Sequence, residues 1–210
     1  MKSKTSKITV LIADDHKMVR LGLSAIFETE PDIQVVGLAA NGKEAVLRAT
    51  ELRPNVVIMD LMMPVMDGVA ATAEIHRRLP DVKVLILTTF DTSDGIAYAL
   101  ESGASGALAK NADNDELTAA IRKIARGERA VSAEIQRQLE IDPPIPVLTA
   151  RQKEILNYMI RGLTNTDIAR QLGIRPDGVK EHINAILLKT GAANRTEAVA
   201  IALRKHLLKI

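Results

Sequence analysis

Five side chains far apart in the sequence could act together on one small anion: Asp14, Asp15, Asp60, Thr88 and Lys110. Each follows or closes a short apolar run, at Ile8 to Ala13, Val56 to Met59, Val82 to Leu87 and Ala107 to Ala109. In a doubly wound α/β sheet, ligands sit outside the carboxyl ends of the strands, so these residues converge on one edge. Gathered carboxylates repel one another unless a cation neutralises them, and an all-oxygen donor set selects a hard divalent ion. Mg²⁺ fits, because it takes one or two carboxylates and shares phosphate oxygens. Lys110 is a point charge suited to one phosphoryl oxygen, and the Thr88 hydroxyl can donate to another. A carboxylate held among phosphate ligands can itself be the nucleophile and form an acyl phosphate. Asp60, central in the sheet, is the best placed. Taken singly, an Asp at a strand end is most often a cap or a loop residue; the agreement of the strand ends carries the reading.

The elements that must position these groups are legible as alternation. Apolar runs at Ile8–Ala13, Ile33–Leu38, Val56–Met59, Val82–Leu87 and Ala107–Ala109 are separated by helical patterns. Pro31, Pro54 and Pro80 follow the first three helical segments, where a helix must stop. Asn41-Gly-Lys-Glu44 reads as a capping box, and Asp113 as the cap of the fifth helix. Strands alternating with helices imply βαβ units, hence a flavodoxin-like (βα)5 fold over residues 1–127. Residues 128–147 read as a linker, with one short helix over Ser132 to Leu139. A spacer follows, Ile141-Asp-Pro-Pro-Ile-Pro-Val147, whose prolines cannot continue a helix. Residues 148–210 are all helical, with starts at Thr149, Thr164, Pro176 and Thr196.

Composition excludes several classes. The 210 residues contain no Cys and no Trp, with two Tyr and two Phe. Disulfide frameworks, thiolate metal sites and cysteine nucleophiles are thereby ruled out. So are single-strand readers that stack bases on aromatic rings. No apolar run approaches the roughly 20 residues a membrane span needs, and no secretory signal is evident, so the expected location is cytoplasmic, away from membranes. The net charge of +2 is a cancellation. Residues 1–147 hold 17 basic and 21 acidic side chains, a net −4, whereas residues 148–210 hold 11 and 5, a net +6. A basic helical half suggests nucleic acid.

Within that half, Thr164–Leu172, Gly173-Ile174 and Arg175–Leu188 fit a helix-turn-helix, whose second helix enters the major groove of double-stranded DNA. Lys180, Asn184 and Lys189 fall on an outward side, and Arg175 stands at the helix start, where phosphate contact is expected. Periodicity alone fits a plain solvated helix pair equally well.

The wording of the chain goes further. Asp14-Asp15, Asp60-Leu-Met-Met-Pro64-Val-Met-Asp67-Gly68, Thr88-Thr89 and Lys110 resemble the receiver domain of two-component response regulators. Leu148-Thr149-Ala-Arg151, Gly162-Leu-Thr-Asn165-Thr-Asp-Ile168-Ala169, Val179-Lys180-Glu-His182 and Asn194-Arg195-Thr196-Glu197-Ala198 resemble the LuxR-type effector of the NarL/FixJ family. The resemblance implies that a sensor histidine kinase phosphorylates Asp60. It implies Mg²⁺ on Asp14, Asp15, Asp60 and the Met62 backbone carbonyl, with Thr88 and Lys110 holding the phosphoryl group. DNA contacts would come from Thr164, Asn165, Arg175, Lys180, His182, Asn184 and Lys189. The last helix, Thr196 to Leu208, would present Val199, Ala202, Leu203 and His206 to a second copy, giving a homodimer when phosphorylated.

Two departures from the family pattern stand out. Receivers usually carry Tyr or Phe three residues before the lysine as a switch ring; here that residue is Ala107, with Phe90 a candidate substitute. Family recognition helices commonly begin Ser-x-x-Thr-Val-Lys; here the segment reads Arg175-Pro176-Asp177-Gly178-Val179-Lys180. The reading is a DNA-binding transcription factor controlled by phosphorylation. The alternative is an atypical regulator whose DNA or protein binding is independent of phosphorylation. A true aspartyl-phosphate hydrolase needs an acid/base Asp two residues after the nucleophile, and Met62 stands there. The chain is thus expected to be a regulator rather than an enzyme, at most taking a phosphoryl group from a donor and slowly losing it.

Overall fold

Runs such as Ile8–Ala13, apolar without polar alternation, need burial on both faces. In the computed structural model, which describes residues 7–89, 93–205 and 207, they obtain it in a six-stranded sheet of order β2-β1-β3-β4-β5-β6. The strands are β1 (Ile8–Ala13), β2 (Ile33–Ala39), β3 (Val56–Met59), β4 (Lys83–Thr88), β5 (Gly106–Ala109) and β6 (Ala130–Val131). Every pairing is parallel.

Side-chain alternation divides the core into two layers. Leu11, Val57, Val84, Ile86 and Ala107 face one side, where α2 (Gly42–Leu52), α3 (Gly68–Arg78) and α4 (Ser93–Glu101) contribute Ala45, Ile75 and Ile96. Val10, Ile12, Ile58, Leu85 and Leu108 face the other, against Leu23 and Phe27 of α1 (Lys17–Glu28) and Ile121 and Ile124 of α5 (Asn114–Ala125). The doubly wound order and the C-terminal convergence of the strands follow the sequence reading. So do the caps at Asn41 and Asp113, whose side chains accept from Glu44 and Glu116 N–H groups.

The segment 128–147 departs from its reading as a linker. Two compact units divide between Pro143 and Pro144, so β6 and α6 (Ala133–Ile141) are built into the first unit. Val131 pairs with Ala107, and the Ser132 N–H donates to the Ala107 carbonyl at 3.1 Å. Ile135 is fully buried in the same core layer as Ala107. Gly106 makes the pairing possible: a Cβ there would lie 2.2 Å from the Ala130 carbonyl oxygen. Ser93, at the start of α4, donates its hydroxyl hydrogen to Asp142 at 2.7 Å, fastening the far end of α6.

The second unit contains α7 (Ala150–Ile160), α8 (Asn165–Leu172), α9 (Pro176–Thr190) and α10 (Arg195–Arg204) around Ile155, Leu156, Ile168, Val179, Ile183 and Ile186. Capping boxes start α7 at Thr149 with Gln152 and α8 at Thr164 with Asp167. Pro176 opens α9 at a position where its missing N–H costs no hydrogen bond. The last helix begins at Arg195, because the Asn194 side chain accepts from the Glu197 N–H. Gly173, with φ of +61°, ends α8 and turns the chain into α9. Phe90 and His206 lie outside the described residues.

Candidate functional site

At the carboxyl edge of the sheet, β1 delivers Asp14, β3 delivers Asp60, and β4 ends in Thr88; all three side chains are buried. Lys110 follows β5, its N–H held by the Thr88 carbonyl at 2.8 Å. Its ammonium lies 2.7 Å from Asp14 Oδ2 and 3.2 Å from Asp60 Oδ1, bridging the two carboxylates. Burial pushes the Asp60 carboxyl above its ordinary range, and the Asp14 charge adds to this, while Lys110 works the other way. Burial would lower the Lys110 ammonium, yet its hydrogen bonds and charge contacts with Asp14 and Asp60 leave it raised and therefore charged. Asp15 is the more open carboxylate of the β1–α1 turn.

The turn from Asp60 to α3 is shaped by close packing. Gly68 starts α3 against the backbone of Asp60: a Cβ at Gly68 would sit 2.1 Å from the Asp60 carbonyl oxygen. Asp67 caps the helix through the Ala70 N–H, and the exposed Met62 lies in the same turn. Thr88 Oγ1 donates to the Thr89 carbonyl at 3.0 Å. Asp14, Asp15, Asp60, Thr88 and Lys110 are thus all placed at this edge, where the strand ends meet.

His16 escaped the sequence reading. Its N–H donates to Asp14 Oδ1 at 2.8 Å, and its Nδ1 lies 2.8 Å from Asp15 Oδ1. Asp14, Asp15 and His16 bring one potential ligand atom each within 4.8 Å of one another. The signal was adjacency, since His16 directly follows the acidic pair, at the residue before α1, where its side chain makes no hydrogen bond to the helix N-terminus. The donors Asp14, Asp15 and Asp60 fit a hard divalent cation: they are carboxylates, two of them buried, with a single bridging ammonium at hand.

In the second unit the expected DNA contacts separate. Arg175, Lys180 and Asn184 are exposed at the start and along the outer side of α9, and His182 is half-buried. Thr164 caps α8, its hydroxyl donating to Asp167 Oδ2 at 2.6 Å. Asn165 Oδ1 accepts from Arg195 at 3.2 Å. Lys189 does not point outward: its Nζ donates to the Val147 carbonyl at 2.7 Å and to Gln152 Oε1 at 3.0 Å. The helical period places it on the flank facing α7 rather than on the Lys180–Asn184 side. On α10, Ala202 is a core residue, Val199 packs partly against that core, and Leu203 is exposed.

Comparison with known proteins joins the two halves. Residues 10–122 match the response regulator receiver domain, and residues 146–202 match the bacterial regulatory proteins of the luxR family. The chain belongs to the LuxR-type response regulators. This response regulator is 40% identical to the transcriptional regulatory protein LiaR of Bacillus subtilis, over 96% of this chain and 99% of LiaR. It is 39% identical to the response regulator protein VraR of Staphylococcus aureus, over 96% of this chain and 99% of VraR. Among solved structures it resembles ChrA, a response regulator of a heme-sensing two-component system. That likeness has 35% identity and a TM-score of 0.59, covering 97% of this chain and all of ChrA. The response regulator is accordingly a DNA-binding signalling transcription factor of a two-component system, not an enzyme. Among its described residues no helix is long and apolar enough to cross a membrane.

Proposed function

We propose that phosphorylation of Asp60 by a sensor histidine kinase controls the binding of this regulator to promoter DNA as a homodimer. The observation that carries the reading is Lys110 bridging Asp14 and Asp60 at 2.7 and 3.2 Å. It leaves a buried carboxylate beside a charged ammonium at the end of the central strands. An Asp60 oxygen attacks the phosphorus of a phosphohistidine; the P–N bond breaks, the imidazole leaves, and an acyl phosphate remains. Lys110 and the Thr88 hydroxyl take phosphoryl oxygens. Asp14, Asp15, Asp60 and the Met62 carbonyl would hold Mg²⁺, which supplies charge neutralisation for the transferring group. In the effector, Arg175 contacts phosphate while Lys180 and Asn184 face the groove, with Thr164, Asn165 and His182 at its margin. Leu203, the exposed apolar residue of the Val199–Ala202–Leu203 stripe, makes the contact between copies. Such a regulator works in the cytoplasm.

The test is labelling. Wild-type protein incubated with radiolabelled acetyl phosphate and Mg²⁺ takes up label, and Asp60→Asn takes up none; label retained in Asp60→Asn at another residue overturns the assignment. A second reading, control without phosphorylation, is favoured by Ala107. The site of the family's switch ring is a fully buried alanine whose carbonyl is tied to Ser132. Equal promoter affinity with and without beryllofluoride would select that reading.

A further inference from the structure

The recognition helix ends in a lysine whose charge faces its own domain. Lys189 lies in the last turn of α9 and is half-buried, with its ammonium on two oxygens of the unit's first residues. One is the Val147 carbonyl, directly after the segment that carries Pro143, Pro144 and Pro146. The other is Oε1 of Gln152, a buried side chain at the start of α7. That same oxygen also accepts the Thr149 N–H at 2.9 Å, closing the capping box of α7. A single amide oxygen therefore joins the N-terminus of α7 to the C-terminus of α9. Hydrogen bonds from a charged donor are stronger than neutral ones.

A parallel device fixes the other helix of the pair. Arg195, at the start of α10, donates to the Leu163 carbonyl at 2.5 Å and to Asn165 Oδ1 at 3.2 Å, gripping the N-terminus of α8. Burial lowers the pKa of its guanidinium, as befits a side chain withdrawn into the fold. Two cations of the basic half are thus committed to holding α8 and α9.

We infer that Lys189 is a positioning residue for DNA recognition, not a phosphate contact: it ties the end of the recognition helix to Val147 and Gln152 and so sets the angle at which Lys180 and Asn184 meet the bases. Base readout is sensitive to that angle, because hydrogen bonds to base edges need near-linear geometry, whereas contacts to a line of phosphates tolerate small rotations. The inference needs only DNA binding and stands whether or not phosphorylation controls it.

The experiment uses the full chain and a duplex selected by the wild-type protein from a random-sequence pool, with an unrelated duplex of equal length as the non-specific reference. Affinities are measured across a salt series. Arg175→Gln, a change at the exposed residue assigned to phosphate contact, lowers the slope of log affinity against log salt by about one unit. Lys189→Gln keeps the wild-type slope but reduces the ratio of specific to non-specific affinity about tenfold, by loosening α9. Lys189→Arg restores the ratio, because its fork reaches the same two oxygens. A slope reduced by about one unit in Lys189→Gln, or a specificity ratio left at the wild-type value, overturns the inference. Should Lys189→Gln fail to fold, Gln152→Ala removes the shared acceptor and leaves the ammonium in place. It is expected to lower the ratio at constant slope, and an unchanged ratio there overturns the inference equally.

Discussion

In the turn that carries Asp60, Val65 holds a φ of +69°, with its side chain exposed. A β-branched residue in the left-handed region is strained by roughly 1–2 kcal/mol, because its Cβ crowds the following carbonyl. At 81% exposure the side chain gains little from burial in return. Replacing it by glycine relieves that strain at a cost of roughly 0.5–1 kcal/mol in unfolded-chain entropy. Val65→Gly should therefore raise stability by about 0.5–1 kcal/mol in urea unfolding; a loss of stability would show that the turn is not left-handed at this residue. The strain was invisible in the sequence, because backbone sign at a loop residue depends on how Gly68 packs α3 onto Asp60. The five site residues were legible for the opposite reason: each ends an apolar run, and parallel strands must end together. Lys189 misled because the family pattern was followed there instead of the helical period: nine residues at about 100° each set it on the opposite side of α9 from Lys180, where it meets Val147 and Gln152.

At the scale of elements, β6 and α6 changed most between sequence and structure. A two-residue strand has no periodicity to detect, and the three prolines of Ile141–Val147 suggested an extended, semi-rigid spacer. The sequence did carry a helix start at Ser132, whose side chain caps α6 through the Ile135 N–H. What it did not carry was the burial of Ile135, since two apolar residues four apart, Ile135 and Leu139, on a short and mostly polar helix do not show what they pack against. The structure makes Ile135 decisive. Ile135→Ala should destabilise the first unit by about 2–5 kcal/mol, the usual range for truncating a fully buried isoleucine. A change near zero in denaturant unfolding would return the segment to the status of a linker. Because Ile135 shares a core layer with Ala107, and Ser93 on α4 holds Asp142, the helix closes the face onto which a switch ring at residue 107 would otherwise project.

For the whole molecule, the charge partition and the two-unit division were both legible, one from counting side chains and the other from the change of period near residue 148. The position of the division was not, and moving it from residue 127 to residue 143 has a practical consequence. Strand β5 is buried throughout and lies between β4 and β6. A chain ending at 127 would lose β6 and leave the β5 backbone groups now paired with it open to solvent, a template on which a second sheet can add. Unphosphorylated fragments ending at 127 and at 142 should therefore differ in sedimentation. The shorter should associate as its concentration rises; the longer should remain a single species. Identical behaviour would mean that the edge is protected by something other than β6. In the intact protein, Ala130 and Val131 act as a stopper on that side of the sheet: two residues are too short an edge for another chain to copy.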